Sequence, residues 1–219
     1  MIFENRSHAG RELAELLLTR APEQPLVCAL PRGGVPVAAE VARALHAPLE
    51  LLMVRKLGAS TNRELAVGAL AEDGTTVLDR TLVRRTGMTR EQLQETVARE
   101  REELLRQVRR FRDGWEPADV RGRTVIVVDD GLATGLTDLA AVRALRSRGA
   151  AQIVVAVPVG SLQAVRMLEE EAEEVVCRMI PEQLMGVGRW YEDFGEVTDD
   201  QVLAQLAACG ARVPVPDGA

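Results

Sequence analysis

The chain has 219 residues, 47% of them hydrophobic, and a formal net charge of −6. That length allows one large α/β domain with a substantial core. The acidic balance argues against nucleic acid or an anionic membrane as a partner, so any bound anion must be held by a local arrangement of groups.

The three cysteines, Cys28, Cys177 and Cys209, form no CxxC pair and read as free, reduced and packed. The opening MIFENRSHAGREL lacks the apolar run of a signal peptide, and no stretch reaches the ~18 uninterrupted apolar residues of a membrane span. The expected compartment is the cytoplasm. Of 27 basic residues only Lys56 is a lysine. A bias that favours arginine leaves a lysine mainly where arginine works poorly, which singles out Lys56.

In chain order, Ser7 is placed to cap a helix running to about Arg20, with Leu13, Leu16 and Leu17 at helical spacing. Leu26–Leu30 is a short buried-strand run, ending in the turn Pro31-Arg32-Gly33-Gly34. Val35–Leu45 reads as a helix with Pro36 in its first turn. Leu49–Val54 is a second buried strand ending at Arg55-Lys56, and 58–62 a mobile loop. Leu65–Leu70 and Thr75–Leu78 pair as a hairpin around Glu72-Asp73-Gly74.

Thr89 and Gln92 form a capping box that opens a long helix to about Arg112, with a Leu93, Val97, Leu104, Val108 and Phe111 stripe. Its Glu/Arg face is a solvated surface or a dimer contact. Thr124–Val128 is a β-branched strand, and a helix ending at Gly149 follows its loop. Ile153–Val157 is a strand, Ser161–Glu171 an amphipathic helix, and Glu174–Met179 a further strand. The segment after Gly210 reads as a loose tail. Alternating strands and helices, with strands apolar on both faces, predict an open, mostly parallel, doubly wound α/β sheet forming a single domain over 1–210.

The segment Val125–Thr137 carries the most information. A buried strand delivers Asp129 and Asp130 to its carboxyl end, where ligands bind in open α/β sheets. The loop Ala133-Thr134-Gly135-Leu136-Thr137 then opens a helix, and its amides and hydroxyls suit a phosphate monoester. Two carboxylates beside a phosphate suit a ribose diol and a nearby magnesium ion. The bland alternative is a connection whose aspartates merely cap the helix.

The run Val-Ile-Val-Val-Asp-Asp-Gly-Leu-Ala-Thr-Gly-Leu-Thr resembles the 5-phosphoribosyl-1-pyrophosphate (PRPP) signature of the type I phosphoribosyltransferases. The likeness extends over most of Phe3–Phe194, and is closest to a bacterial branch with Pro-Arg-Gly-Gly-Val-Pro and Arg-Lys-Leu-Gly segments. It implies that fold, with a small hood at about 181–195. It implies that Asp129 and Asp130 hold the ribose diol and that Ala133 to Thr137 hold the 5′-phosphate. Arg32, Gly33 and Gly34 then form the pyrophosphate loop, with a cis Pro31–Arg32 bond, and Arg55 and Lys56 contact pyrophosphate. The catalytic set is Arg32, Lys56, Asp129 and Asp130, with magnesium at the aspartates directly or through water.

A lid around 58–63 would bring Arg63 and Glu64 inward. Val187, Gly188, Trp190 and Tyr191 are the candidate acceptor contacts; their rings suit stacking on a base or ordinary packing. Ala133 stands where enzymes of 6-oxopurines commonly carry an aspartate, which lowers the odds of such an acceptor. His8 and His46 read as isolated. The expected partners are PRPP, a nitrogenous acceptor and a second copy of the chain. The rival readings are a PRPP- or nucleotide-sensing regulator of the same fold, and a nicotinamide-dependent oxidoreductase, which lacks a GxGxxG after the first strand.

Overall fold

The computed structural model describes residues 2–20, 24–60, 62, 65–112 and 116–211. Arg63, Glu64 and the tail from 212 lie outside the described residues. The parallel sheet is built from β1 (Leu26–Ala29), β2 (Leu49–Leu51), β6 (Thr124–Val128), β7 (Gln152–Val159) and β8 (Glu174–Met179). Its order is β2-β1-β6-β7-β8, and every pairing in it is parallel. Three strands form a separate antiparallel sheet: β3 (Val54–Gly58), β4 (Ala66–Ala71) and β5 (Thr76–Leu78).

The alternation of side chains along each parallel strand explains both covering layers. Val27, Ala29, Ile126, Val128, Val154 and Ala156 pack on α1 (Arg6–Leu18) and α2 (Gly34–Ala44), through Leu13, Leu17, Val37 and Val41. Their neighbours Cys28, Val125, Val127, Ile153, Val155 and Val157 pack on α5 (Leu136–Ser147) and α6 (Leu162–Glu169), through Leu139, Ala140, Val165 and Leu168. The sheet is therefore doubly wound, as expected. Cys28, Cys177 and Cys209 are free, and burial pushes the Cys28 thiol up to about 12.

Three expectations need correction. The cap of α1 is Asn5, not Ser7: the Asn5 Oδ1 accepts the His8 amide at 2.9 Å, and Ser7 lies inside the first turn. Both residue types cap well, so composition alone did not choose. The apolar run 49–54 is two strands, not one. The Leu52 amide makes the last bond to β1, at Ala29 O, and the chain then enters the antiparallel sheet. Leu51 to Val54 stay buried across that change, so hydrophobicity carried no signal of it. Lys56 consequently sits in the middle of β3, opposite Ala69 of β4, rather than at the end of a parallel strand.

The hairpin β4–β5 and the Thr89/Gln92 capping box form as read, the box with bonds of 3.0 and 3.2 Å. They are followed by α4 (Arg90–Arg112), whose Leu104 and Phe111 are buried. Two helices had not been anticipated. In α3 (Arg80–Arg85), the Asp79 carboxylate accepts the Thr81 and Leu82 amides. In α7 (Asp199–Ala208), Thr198 and Gln201 form a second capping box.

Candidate active site

The strand order reverses between β1 and β6, because β2 lies outside β1 while β7 and β8 continue beyond β6. Ligands in open α/β sheets bind at the carboxyl ends of such strands. The two segments singled out by sequence, 31–34 and 129–137, are the connections that leave β1 and β6 at this point.

They touch closely. The Pro31–Arg32 bond is cis, as expected. A methyl group on Gly34 would stand 2.6 Å from Val128 O and 2.9 Å from the Asp129 Cα. The glycines at 33 and 34 are thus required by close approach of the two loops, beyond any need for a turn. Past the aspartates, Gly135 caps α5 with φ of +72°, a conformation that costs a residue with a side chain more than glycine. Among the described residues, the amides of Ala133, Thr134, Gly135 and Thr137 meet no protein acceptor. A ring of free amides at a helix N-terminus is suited to an oxyanion. Ser161 fixes the loop from behind, donating its hydroxyl to Ala133 O at 2.9 Å. Leu136 is buried, so it can offer the site only its backbone.

A crevice of about 450 Å³ is lined by Pro31, Arg32, Arg55, Lys56, Asp129 and Thr137, with Arg99, Glu100 and Gln107 from α4. Five of the sequence candidates therefore line one space. Ala133 and Thr134 line a second cavity, of about 510 Å³, between α3 and α6. The cations are not idle. Arg32 pairs with Glu196, and lies 3.7 Å from Asp199 at the start of α7. Arg55 is turned onto α4, where its Nη2 meets Glu100 at 2.7 Å.

Burial raises the pKa of Asp129 well above the usual carboxylate range, and the Asp130 and Asp138 charges raise it further. Burial raises Asp130 as well, opposed by the Arg6 guanidinium. Asp129 Oδ1 accepts the Asp130 amide at 2.8 Å, and Asp130 Oδ2 accepts Arg6 Nε at 2.8 Å. One oxygen of each carboxylate is thereby used. The remaining pair is of the hard-donor type that suits magnesium or a sugar diol. Among the described residues no cluster of three or more metal-ligating side chains exists. Magnesium would be held here by one or two carboxylates plus ligand oxygens, the coordination it favours.

The segment 181–195 lies beside the acidic pair. Val187 of a short 3₁₀ turn, Val187–Trp190, packs so tightly on Gly131 that a methyl group there would stand 2.7 Å away. Tyr191 donates its hydroxyl to Asp130 O at 2.6 Å. Its ring lies against Phe3 and Phe194, with centroids 5.4 and 5.0 Å apart. Trp190 donates to Leu184 O. Of the two roles considered for these rings, Tyr191 is engaged in packing.

Sequence reasoning missed Arg6 and Asp138. Arg6 precedes every motif, and its contact with Asp130 spans 124 positions. Asp138 reads as an ordinary acidic residue of a helix first turn. It is 2% exposed, its Oδ1 has no hydrogen-bond partner among the described residues, and burial pushes it up to about 7.

An α/β protein with a loop of unpaired amides and an acidic pair at its switch point is the class that this fold and site define. Residues 4–189 match the family described as "Phosphoribosyl transferase domain". Two Mycobacterium tuberculosis proteins, "Putative phosphoribosyl transferase MT0597" (strain CDC 1551 / Oshkosh) and "Putative phosphoribosyl transferase Rv0571c" (strain H37Rv), are each 42% identical over 205 residues. Those matches cover 94% of this chain and 46% of the relatives, so the chain spans about half the length of the curated relatives it matches. The crystal structure of TT1426 from Thermus thermophilus is 44% identical, covers 95% of this chain and 99% of its own, and aligns with a TM-score of 0.76. AQ2163 from Aquifex aeolicus shares the fold at 12% identity, with a TM-score of 0.50 and coverage of 80% and 74%. The chain belongs to the phosphoribosyltransferase family.

Proposed function

We propose that the chain transfers the 5-phosphoribosyl group of PRPP to a nitrogenous acceptor, a nucleobase, with release of pyrophosphate. The observation that carries this reading is the convergence of Arg32, Lys56, Asp129 and Thr137 on one crevice beside a loop of unpaired amides. In it the amides of Ala133 to Thr137 hold the 5′-phosphate, and the unengaged oxygens of Asp129 and Asp130 accept the ribose hydroxyls. Arg32, Arg55 and Lys56, with the turn at Gly33 and Gly34, face the pyrophosphate; the Gly34 amide itself is donated to Leu30 O at 3.0 Å. The acceptor nitrogen forms a bond to the anomeric carbon as the bond to pyrophosphate oxygen breaks. The acceptor's proton leaves to solvent. The cations stabilise charge that grows on the leaving group, and the carboxylates favour the oxocarbenium character of the ribose. Asp129 and Asp130 would hold magnesium, which would supply charge neutralisation there.

The acceptor lies against 181–195, which acts as a hood on an otherwise single domain, with Val187 and Gly188 facing the base edge and Trp190 and Tyr191 shaping the pocket. The protein acts in the cytoplasm as a homodimer. Among the described residues no helix is long and apolar enough to cross a membrane.

The test is a screen of nucleobases and small aromatic amines with PRPP and magnesium, following pyrophosphate. A positive acceptor whose signal vanishes in Asp129→Asn/Asp130→Asn supports the reading. Tight PRPP binding with no acceptor giving release would instead favour the sensing role. A signal that survives the double substitution would contradict the assignment of the diol site.

A further inference from the structure

We propose that Arg6 is a positioning residue of the ribose site, clamping Asp130 so that a single carboxylate oxygen faces the sugar and ribose is preferred over 2-deoxyribose. The inference rests on the sugar-phosphate reading above and extends it to a residue outside every motif. Arg6 is held on three sides at once. Its Nε donates to Asp130 Oδ2 at 2.8 Å, its Nη1 donates to Gly195 O at 2.8 Å, and its Cζ lies 3.9 Å from the Phe194 ring centroid. The contact is largely shielded, the Arg6 and Asp130 side chains being 11% and 16% exposed. A planar fork that uses two edges and a face together cannot be replaced by the point charge of lysine.

Helix stability does not account for this arginine. Arg6 is the first residue of α1, and a cation there opposes the helix dipole. The cation is instead directed at the acidic pair. The Gly33 backbone also approaches this oxygen, so closely that a methyl group would stand 2.1 Å from Oδ2. Tyr191 grips the Asp130 carbonyl, and its ring packs on Phe194, which in turn covers Arg6. Asp130 therefore has one oxygen consumed and its backbone tethered, which leaves Oδ1 for a hydroxyl. A carboxylate fixed in this way rewards a correctly placed sugar hydroxyl. One free to rotate accepts water equally well when the hydroxyl is missing.

Calorimetric titration of ribose 5-phosphate and 2-deoxyribose 5-phosphate with magnesium tests the role. The wild-type protein should prefer ribose 5-phosphate by about tenfold, the worth of a hydrogen bond to a charged group. Arg6→Met should bring the two affinities within about twofold, chiefly by weakening the ribose compound. Arg6→Lys should fall between. A merely structural arginine would weaken both ligands together and leave the ratio unchanged, which would overturn the proposal. Should Arg6→Met fail to fold, Arg6→Lys and Phe194→Leu carry the test: a lowered ratio in both supports the clamp, and an unchanged ratio in both overturns it. If the wild-type protein binds neither compound, or binds both equally, the diol-site reading itself fails. That result is distinct from a preference that survives loss of Arg6, which sinks only the clamp.

Discussion

A methyl group on Gly33 would stand 2.1 Å from Oδ2 of Asp130, inside any distance that a real Cβ tolerates. The loop after the first parallel strand and the acidic end of β6 are thus fitted to each other, and Arg6 holds the carboxylate that would have to give way. Gly33→Ala should cost about 1–3 kcal/mol of stability through overpacking. It should also weaken PRPP binding about tenfold or more by turning the Asp130 side chain. Urea denaturation and PRPP titration of the same variant check both effects. Unchanged affinity would show that the two loops are not coupled.

Asp138 gives a pH dependence with a definite sign. Burial raises its folded pKa to about 7. Between about pH 4 and pH 7 the unfolded chain has released this proton while the folded chain keeps it. Stability therefore falls as pH rises through that window, at up to about 1.4 kcal/mol for each pH unit. Asp129, raised in the same direction, adds to the slope. Asp138→Asn should lose less stability than the wild-type protein between pH 5 and pH 8, measured by denaturant unfolding at about those two values. Equal losses would contradict a protonated Asp138 in the fold.

Arg32 is held by Glu196 and Asp199. Binding a pyrophosphate must compete with these partners, both of them exposed to solvent. Glu196→Gln/Asp199→Asn should lower the KM for PRPP about two- to fivefold, as expected for screened surface pairs. The gain should shrink as salt is raised. A raised KM would mean that the two acids orient Arg32 productively.

Arg112, at the end of α4, is 6% exposed and joins Glu72 of the hairpin turn, Glu50 of β2 and the Leu51 carbonyl. Arg112→Ala should destabilise the protein by about 3–5 kcal/mol, because it strands the largely buried Glu72 carboxylate. Adding Glu72→Gln should recover part of that loss. Thermal unfolding of the single and double variants measures the coupling, and strictly additive effects would exclude it.

Much of the architecture could be read from local pattern. The doubly wound sheet followed from apolar strands alternating with helices, because burial on both faces leaves continuous runs such as Thr124–Val128. The 129–137 segment was legible because strand, acids, small residues and helix start are adjacent in the chain. Departures arose where the deciding contact is distant or ambiguous. The break at Leu52 and Met53 leaves both residues buried, so nothing in their polarity marks it. Arg6 meets Asp130 from 124 positions away in the chain, and only the fold brings them together. The α7 capping box, Thr198 with Gln201, is a local pattern of the same kind as the one that opens α4. The roles of Gly33 and Gly34 read as turn chemistry, whereas the fold adds the proximity of Asp129 and Asp130.

The proposed function requires PRPP to bind at the switch point of the sheet, through Asp129, Asp130 and the amides that follow them. Calorimetric titration of PRPP with magnesium into the wild-type protein and into Asp129→Asn/Asp130→Asn measures it directly. Saturable binding is expected of the first and a loss of about 100-fold or more in the second, with folding retained. Equal affinity in the two proteins, or none in either, would contradict it.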